Sequence, residues 1–146
     1  MKDKNTYIFY HQYPIQIRMI DLDAMGHVNN AVQLFYYDSG RLNYFETLQQ
    51  KDIDWRTFDL VIVHISCDFF RSIYFKNKIL VETKVLEIGN KSLKIMQRIV
   101  EDNADRTLLS TCYSVLSGYD KLNDISKPIP PEFKEKIIGF EKMEEK

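Results

Sequence analysis

The stretch Arg18-Met19-Ile20-Asp21-Leu22-Asp23-Ala24-Met25-Gly26-His27-Val28-Asn29-Asn30 gathers two acids, an imidazole and two amides directly ahead of a helix-forming sequence. A carboxylate in such a loop can attack a carbonyl carbon or take a proton from water. Backbone N–H groups at a helix start have no intrahelical acceptor and lie at the positive end of the helix dipole, so they can hold a developing oxyanion. Together these groups permit acyl-transfer chemistry. The same residue types also cap helices and form turns, and composition alone favours that plainer role.

Other reactive side chains carry less. His27 can simply bond a neighbouring carbonyl, and neither His11 nor His64 stands at zinc-ligand spacing from it, so no metal site is expected. His64 and Cys67 offer an imidazole and a thiol, but a separation of three on a strand puts them on opposite faces. Cys67 and Cys112 have no paired-cysteine spacing and read as reduced, buried thiols. No cofactor is implied.

These groups need a scaffold, and the hydrophobic pattern supplies one. A strand is expected over about Tyr7 to Met19, where Ile15-Gln16-Ile17-Arg18 alternates apolar and polar. From Ala31 to Leu48 the residues Ala31, Leu34, Phe35, Leu42, Phe45 and Leu48 recur at helical spacing, and Tyr36, Tyr37 and Tyr44 widen the apolar surface, so this helix should be buried on several sides. Asn30 is the expected N-cap, with Gln33 placed to return a bond to its backbone. Leu60 to Phe70 is β-branched and aromatic enough for a largely buried strand.

Strands at about 79–85, 93–100 and 107–119 follow, separated by turn signals at Gly89-Asn90 and Asp102-Asn103-Ala104-Asp105. Pro128, Pro130 and Pro131 then break the chain before a short helix at about 132–140. The order of strand, long helix and four strands predicts an α+β fold with an antiparallel sheet. It forms a single domain over 1–146 with a C-terminal extension from about 128.

Composition narrows the function class. The chain has 146 residues, 45% hydrophobic and 28% charged, with a formal net charge of -1. That balance is globular and gives no electrostatic reason to expect a nucleic-acid partner. No run reaches the roughly 20 apolar residues that span a bilayer. The N-terminal residues do not resemble a secretory signal, so a cytoplasmic location is expected.

The segment Asp21-Leu22-Asp23-Ala24-Met25-Gly26-His27-Val28-Asn29-Asn30, followed by Phe35-Tyr36-Tyr37-Asp38-Ser39-Gly40-Arg41, resembles the D-x-D-x-x-G-H-V-N-N signature of hotdog-fold thioesterases related to 4-hydroxybenzoyl-CoA thioesterase. The resemblance extends over roughly 7–120. It implies an antiparallel sheet wrapped around a long central helix, in a homodimer or dimer of dimers whose sheets join edge to edge and whose sites lie between subunits. It also implies hydrolysis of an acyl-CoA or acyl carrier protein thioester. Asp23 matches the catalytic carboxylate, and the backbone N–H near Asn30 matches the position that polarises the thioester. His27 and Asn29 match positions that shape the loop and contact substrate, and Asp21 is structural.

Gln33, Asp38 and Asn77 depart from the family pattern, which often has Tyr, Glu and an acidic residue there. Arg71, Lys76, Lys78, Lys91 and Arg98 are available for coenzyme A phosphates, but their spacing singles out none of them. Two alternatives stay open, a non-catalytic acyl-thioester-binding or sensing protein and a hotdog dehydratase. The intact Asp23 favours an enzyme, and the paired D-x-D and H-V-N-N elements favour a thioesterase.

Overall fold

The computed structural model describes residues 7–144. Its elements are β1 (His11–Ile15), α1 (Asn30–Gln49), β2 (Leu60–Phe69), β3 (Ile79–Ile88), β4 (Ser92–Glu101), β5 (Leu108–Asp120), β6 (Ile125–Ser126) and α2 (Pro131–Glu141), with a 3-10 turn at Met19–Asp21. The strands form one antiparallel sheet in the order β1-β3-β4-β5-β2, and β6 pairs with β5. The long helix packs against this sheet, as the α+β hotdog expectation requires.

Alternation along β3 and β4 explains the packing. Val81, Thr83 and Val85 on β3, and Leu93, Ile95, Gln97 and Ile99 on β4, are completely buried beneath α1 or continuous with its core. On α1 the buried residues include Tyr36, Tyr37, Gly40, Arg41, Tyr44, Phe45 and Leu48. Gly40 is required by proximity, because a Cβ there would stand 2.5 Å from Cγ1 of Val81. The helix therefore lies closer to β3 than any larger residue would permit. Gln97, buried at the same level, donates to the Tyr37 carbonyl and to Thr83 Oγ1, each at 2.9 Å.

Four local expectations are corrected. The first strand is only His11–Ile15, because the Arg18 N–H turns to the Asp21 carboxylate (3.0 Å) and starts the 3-10 turn. The helix cap is Asn29, whose Oδ1 accepts from Ala31 N at 2.8 Å, and Asn30 is the first helical residue. Gln33 does not return to the cap: it is buried, and its Oε1 accepts from Ser110 Oγ at 2.8 Å. Finally, β2 is not buried within the chain, since it forms one edge of the sheet and exposes Ile62, Val63, Ile65 and Phe69. Leu34 and Phe35 on α1 are exposed as well. Among the described residues no helix is long and apolar enough to cross a membrane.

Candidate active site

The loop between β1 and α1 is held by Asp21. This side chain is 1% exposed and accepts from Arg18 N (3.0 Å), Arg18 Nη2 (3.0 Å) and the Tyr36 hydroxyl (2.5 Å). Burial by itself raises the Asp21 pKa, but the bonds from Tyr36 and Arg18 outweigh it and hold the carboxyl below its ordinary value. Burial, reinforced by the same bond, pushes the Tyr36 hydroxyl well up. The Asp21 carbonyl also accepts from Asn29 N at 2.9 Å, so one residue fixes both the 3-10 turn and the helix cap.

Asp23 is exposed and sits in a tight turn. Its N–H donates to the His27 carbonyl (2.8 Å) and its carbonyl accepts from Gly26 N (3.0 Å). Gly26 has φ of 78°, a left-handed conformation that a side chain would strain. Oδ1 of Asp23 accepts from Met25 N (2.9 Å) and His27 N (3.3 Å), which orients the carboxylate. Oδ2 accepts no hydrogen bond among the described residues. The two acids of the motif thus differ in kind: Asp21 is fully engaged, and Asp23 is held by one oxygen with the other free.

His27 is half-buried and meets the Tyr74 ring edge-on at 5.0 Å between centroids, while Val28 N donates to the Ile73 carbonyl (2.8 Å). Asn77 caps the next turn by accepting from Tyr74 N (2.7 Å). At the start of α1, the Ala31 N–H goes to Asn29 Oδ1, and those of Val32 and Gln33 go to the Asn29 carbonyl (2.9 and 3.1 Å). The Asn30 N–H is left with no acceptor among the described residues.

Asp23, His27, Asn29 and Asn30 all line one polar cleft of about 430 Å³. The cleft is also lined by Gln33 of α1 and by Phe69 at the end of β2 with Phe70, Arg71 and Ser72 beyond it, which no sequence motif marks. Arg71 is one of the five cations that spacing left unassigned, and its guanidinium has no side-chain partner among the described residues. Arg98, another of the five, is elsewhere: it pairs with Glu82 at 3.3 Å under the Phe9 ring. His64 and Cys67 lie three apart on an unshifted stretch of β2, on opposite faces as expected, and Cys67 is instead opposite Cys112. Among the described residues no cluster of His, Cys, Asp and Glu could hold a metal ion.

Comparison with known proteins gives a consistent picture. The model of the thioesterase-like superfamily matches residues 17–137. A thioesterase from Thermus thermophilus, complexed with coenzyme A and Zn, superimposes with a TM-score of 0.82 at 25% identity over 93% of this chain and 97% of its own. A predicted thioesterase from Bacillus stearothermophilus gives 0.81 at 23% identity, covering 89% and 95%. The uncharacterized protein YsmA of Bacillus subtilis strain 168 is 24% identical over 92 residues, a match spanning 63% of this chain and 60% of that relative's length.

Proposed function

The chain belongs to the thioesterase-like superfamily, and from that membership together with the cleft we propose that it is an acyl-CoA thioesterase with Asp23 as its catalytic carboxylate. The observation that carries this reading is the pair of open groups in one cleft, the free Oδ2 of Asp23 and the unbonded N–H of Asn30. The thioester carbonyl accepts from the Asn30 N–H, which gains strength as negative charge develops on that oxygen. Asp23 either attacks the carbonyl carbon to give a mixed anhydride and coenzyme A thiolate, with water then cleaving the anhydride, or takes a proton from an attacking water. The thiolate is a good leaving group, since an ordinary thiol pKa is about 8.5.

The other side chains support this step. Asn29 holds the helix start in place, and His27 closes the Asp23 turn and borders the substrate. Phe69 and Phe70 give the acyl group an apolar wall. The active unit is a homodimer or dimer of dimers in the cytoplasm. In support, β2 is a ten-residue edge strand with no further strand paired to it among the described residues, and Val63 (61%) and Phe35 (66%) are exposed where a monomer would risk aggregation. Light scattering should show at least a dimer, and a stable, active monomer would remove the shared-site reading.

The decisive assay is thiol release across a series of acyl-CoA chain lengths and aryl groups. Asp23→Asn should lower turnover on the order of 10²–10⁴-fold while the protein stays folded. Asp21→Asn should act first on stability. Near-wild-type turnover in Asp23→Asn with a large loss in a folded Asp21→Asn would move the chemistry to the first acid. Tight acyl-CoA binding without any hydrolysis would identify a binding protein instead.

A further inference from the structure

Cys67 and Cys112 stand far apart in sequence, but the register of β2 against β5 places them directly opposite each other. Their strand pair fixes which type of cross-strand site this is. Phe70 N donates to the Leu109 carbonyl at 2.9 Å, so 70 and 109 form a hydrogen-bonded pair. The register runs without a shift from Phe69↔Ser110 through Cys67↔Cys112, and hydrogen-bonded and open pairs alternate along an antiparallel ladder. Cys67 and Cys112 therefore occupy an open pair, where Cα atoms stand about 4.5 Å apart and side chains approach most closely. Disulfides span Cα separations of about 4.4–6.8 Å, so a bond fits without moving either strand far.

The side chains agree with the backbone. Both thiols pack in the core around Tyr37, Cys112 completely buried and Cys67 half-buried, and each bears on the ionisation of the other. We propose that Cys67 and Cys112 are a redox modification site, closed by hydrogen peroxide into an intramolecular cross-strand disulfide that ties the edge strand β2 to β5. Cys67, the more accessible thiol, attacks the peroxide oxygen as its thiolate, becoming a sulfenic acid as the O–O bond breaks and water forms. The Cys112 sulfur then attacks Cys67 Sγ, and the hydroxyl leaves as a second water. Two thiols lose two electrons and two protons in all, and both peroxide oxygens end as water.

The surroundings set the rate. Burial pushes both thiols up from their ordinary value, with the neighbouring Cys112 thiol and the buried Arg41 cation opposing the rise at Cys67. Oxidation is consequently slow at neutral pH and quickens as pH rises, since the thiolate is the nucleophile. The bond lies close along β5 to Ser110, whose hydroxyl meets both Gln33 in the cleft wall and Tyr37 in the core. Closing it fastens the strand that carries Phe69 and Phe70 toward that wall.

The test uses the whole folded protein, treated with hydrogen peroxide, alkylated under denaturing conditions and weighed intact. The expected product lacks two hydrogens, resists alkylation at both cysteines, is monomeric on a non-reducing gel, and returns to two free thiols with dithiothreitol. Its unfolding temperature should rise, and reduction should reverse the rise. In Cys112→Ser, Cys67 should accumulate a sulfenic acid trapped by dimedone, whereas the wild type should not. Two thiols still alkylated after treatment, a sulfinic acid on Cys67, a bond between chains, or equal dimedone labelling in both proteins would overturn the proposal.

Discussion

At the N-terminal end of α1, Asn29, Asn30 and Gln33 border a polar cleft of about 430 Å³ with Asp23 at its edge; at the C-terminal end, Phe45, Phe58, Leu60 and Phe133 border a cavity of about 170 Å³. Both places contain carboxylates and a helix terminus. The two acids that line the C-terminal cavity are both engaged: Asp54 bonds Arg56 at 3.0 to 3.2 Å, and Asp59 pairs with Lys127 at 2.6 Å. In the N-terminal cleft Asp23 keeps one oxygen open and Asn30 keeps its N–H open. An acid near a helix end is thus poor evidence for chemistry until its hydrogen bonds are assigned atom by atom. The aromatic end supplies packing, and that stability lets the polar end leave groups unpaired.

The contrast is sharpest in a crossed experiment. Phe45 is 1% exposed and its ring meets those of Tyr44, Phe58 and Phe133 at 5.8, 6.1 and 5.7 Å. Phe45→Ala should cost about 3–5 kcal/mol of stability by lost burial and a residual cavity. Turnover per folded molecule should hold. Asp23→Asn should do the reverse, with a large loss of turnover and a nearly unchanged unfolding curve. A Phe45→Ala protein that keeps its stability but loses activity would show that the two ends are not divided in this way.

Tyr36→Phe is the next largest effect expected, because it removes a hydrogen bond to a charged, buried acid. Such bonds are worth about 1.5–3 kcal/mol. The pH dependence distinguishes this from a general packing defect. Asp21 has a folded pKa below its unfolded value, so its contribution is fully present above the ordinary carboxylate pKa of about 3.9 and is lost as pH falls through the folded value. Denaturant curves should show the wild type and Tyr36→Phe well separated at pH 7 and converging in acid. A constant separation across that range would assign the loss to packing alone.

Much of the scaffold was legible in the sequence because local periodicity encodes it: the buried helix, the alternation of β3 and β4, and the turns between them. The candidate cleft was legible only in part. Its D-x-D-x-x-G-H-V-N-N side is contiguous in sequence, whereas its Phe69–Ser72 side arrives by the pairing of β2 with β5. The Cys67–Cys112 pair and the Gln33–Ser110 bond depend on the same pairing and leave no spacing signal. At the cap, Asn29 and Asn30 are chemically equivalent on paper. The bond from Asn29 N to the Asp21 carbonyl decides between them, by holding Asn29 outside the helix.

That decision gives the smallest and most discriminating prediction. Asn29 Oδ1 accepts from Ala31 N, so Asn29→Ala should cost about 1 kcal/mol of stability as a lost helix cap. Activity should fall too, because the freed helix start no longer fixes the Asn30 N–H. Asn29→Asp separates the two consequences, since its carboxylate keeps the capping bond and suits the positive end of the helix. If Asn29 acts only as a cap, Asn29→Asp should match the wild type in unfolding temperature and retain most of its turnover. If its Nδ2 also donates to substrate, Asn29→Asp should keep its stability while KM for the acyl-CoA rises several-fold. Loss of both stability and turnover in Asn29→Asp, with Asn29→Ala unaffected, would mean that the Asn29 side chain does not hold the helix start at all.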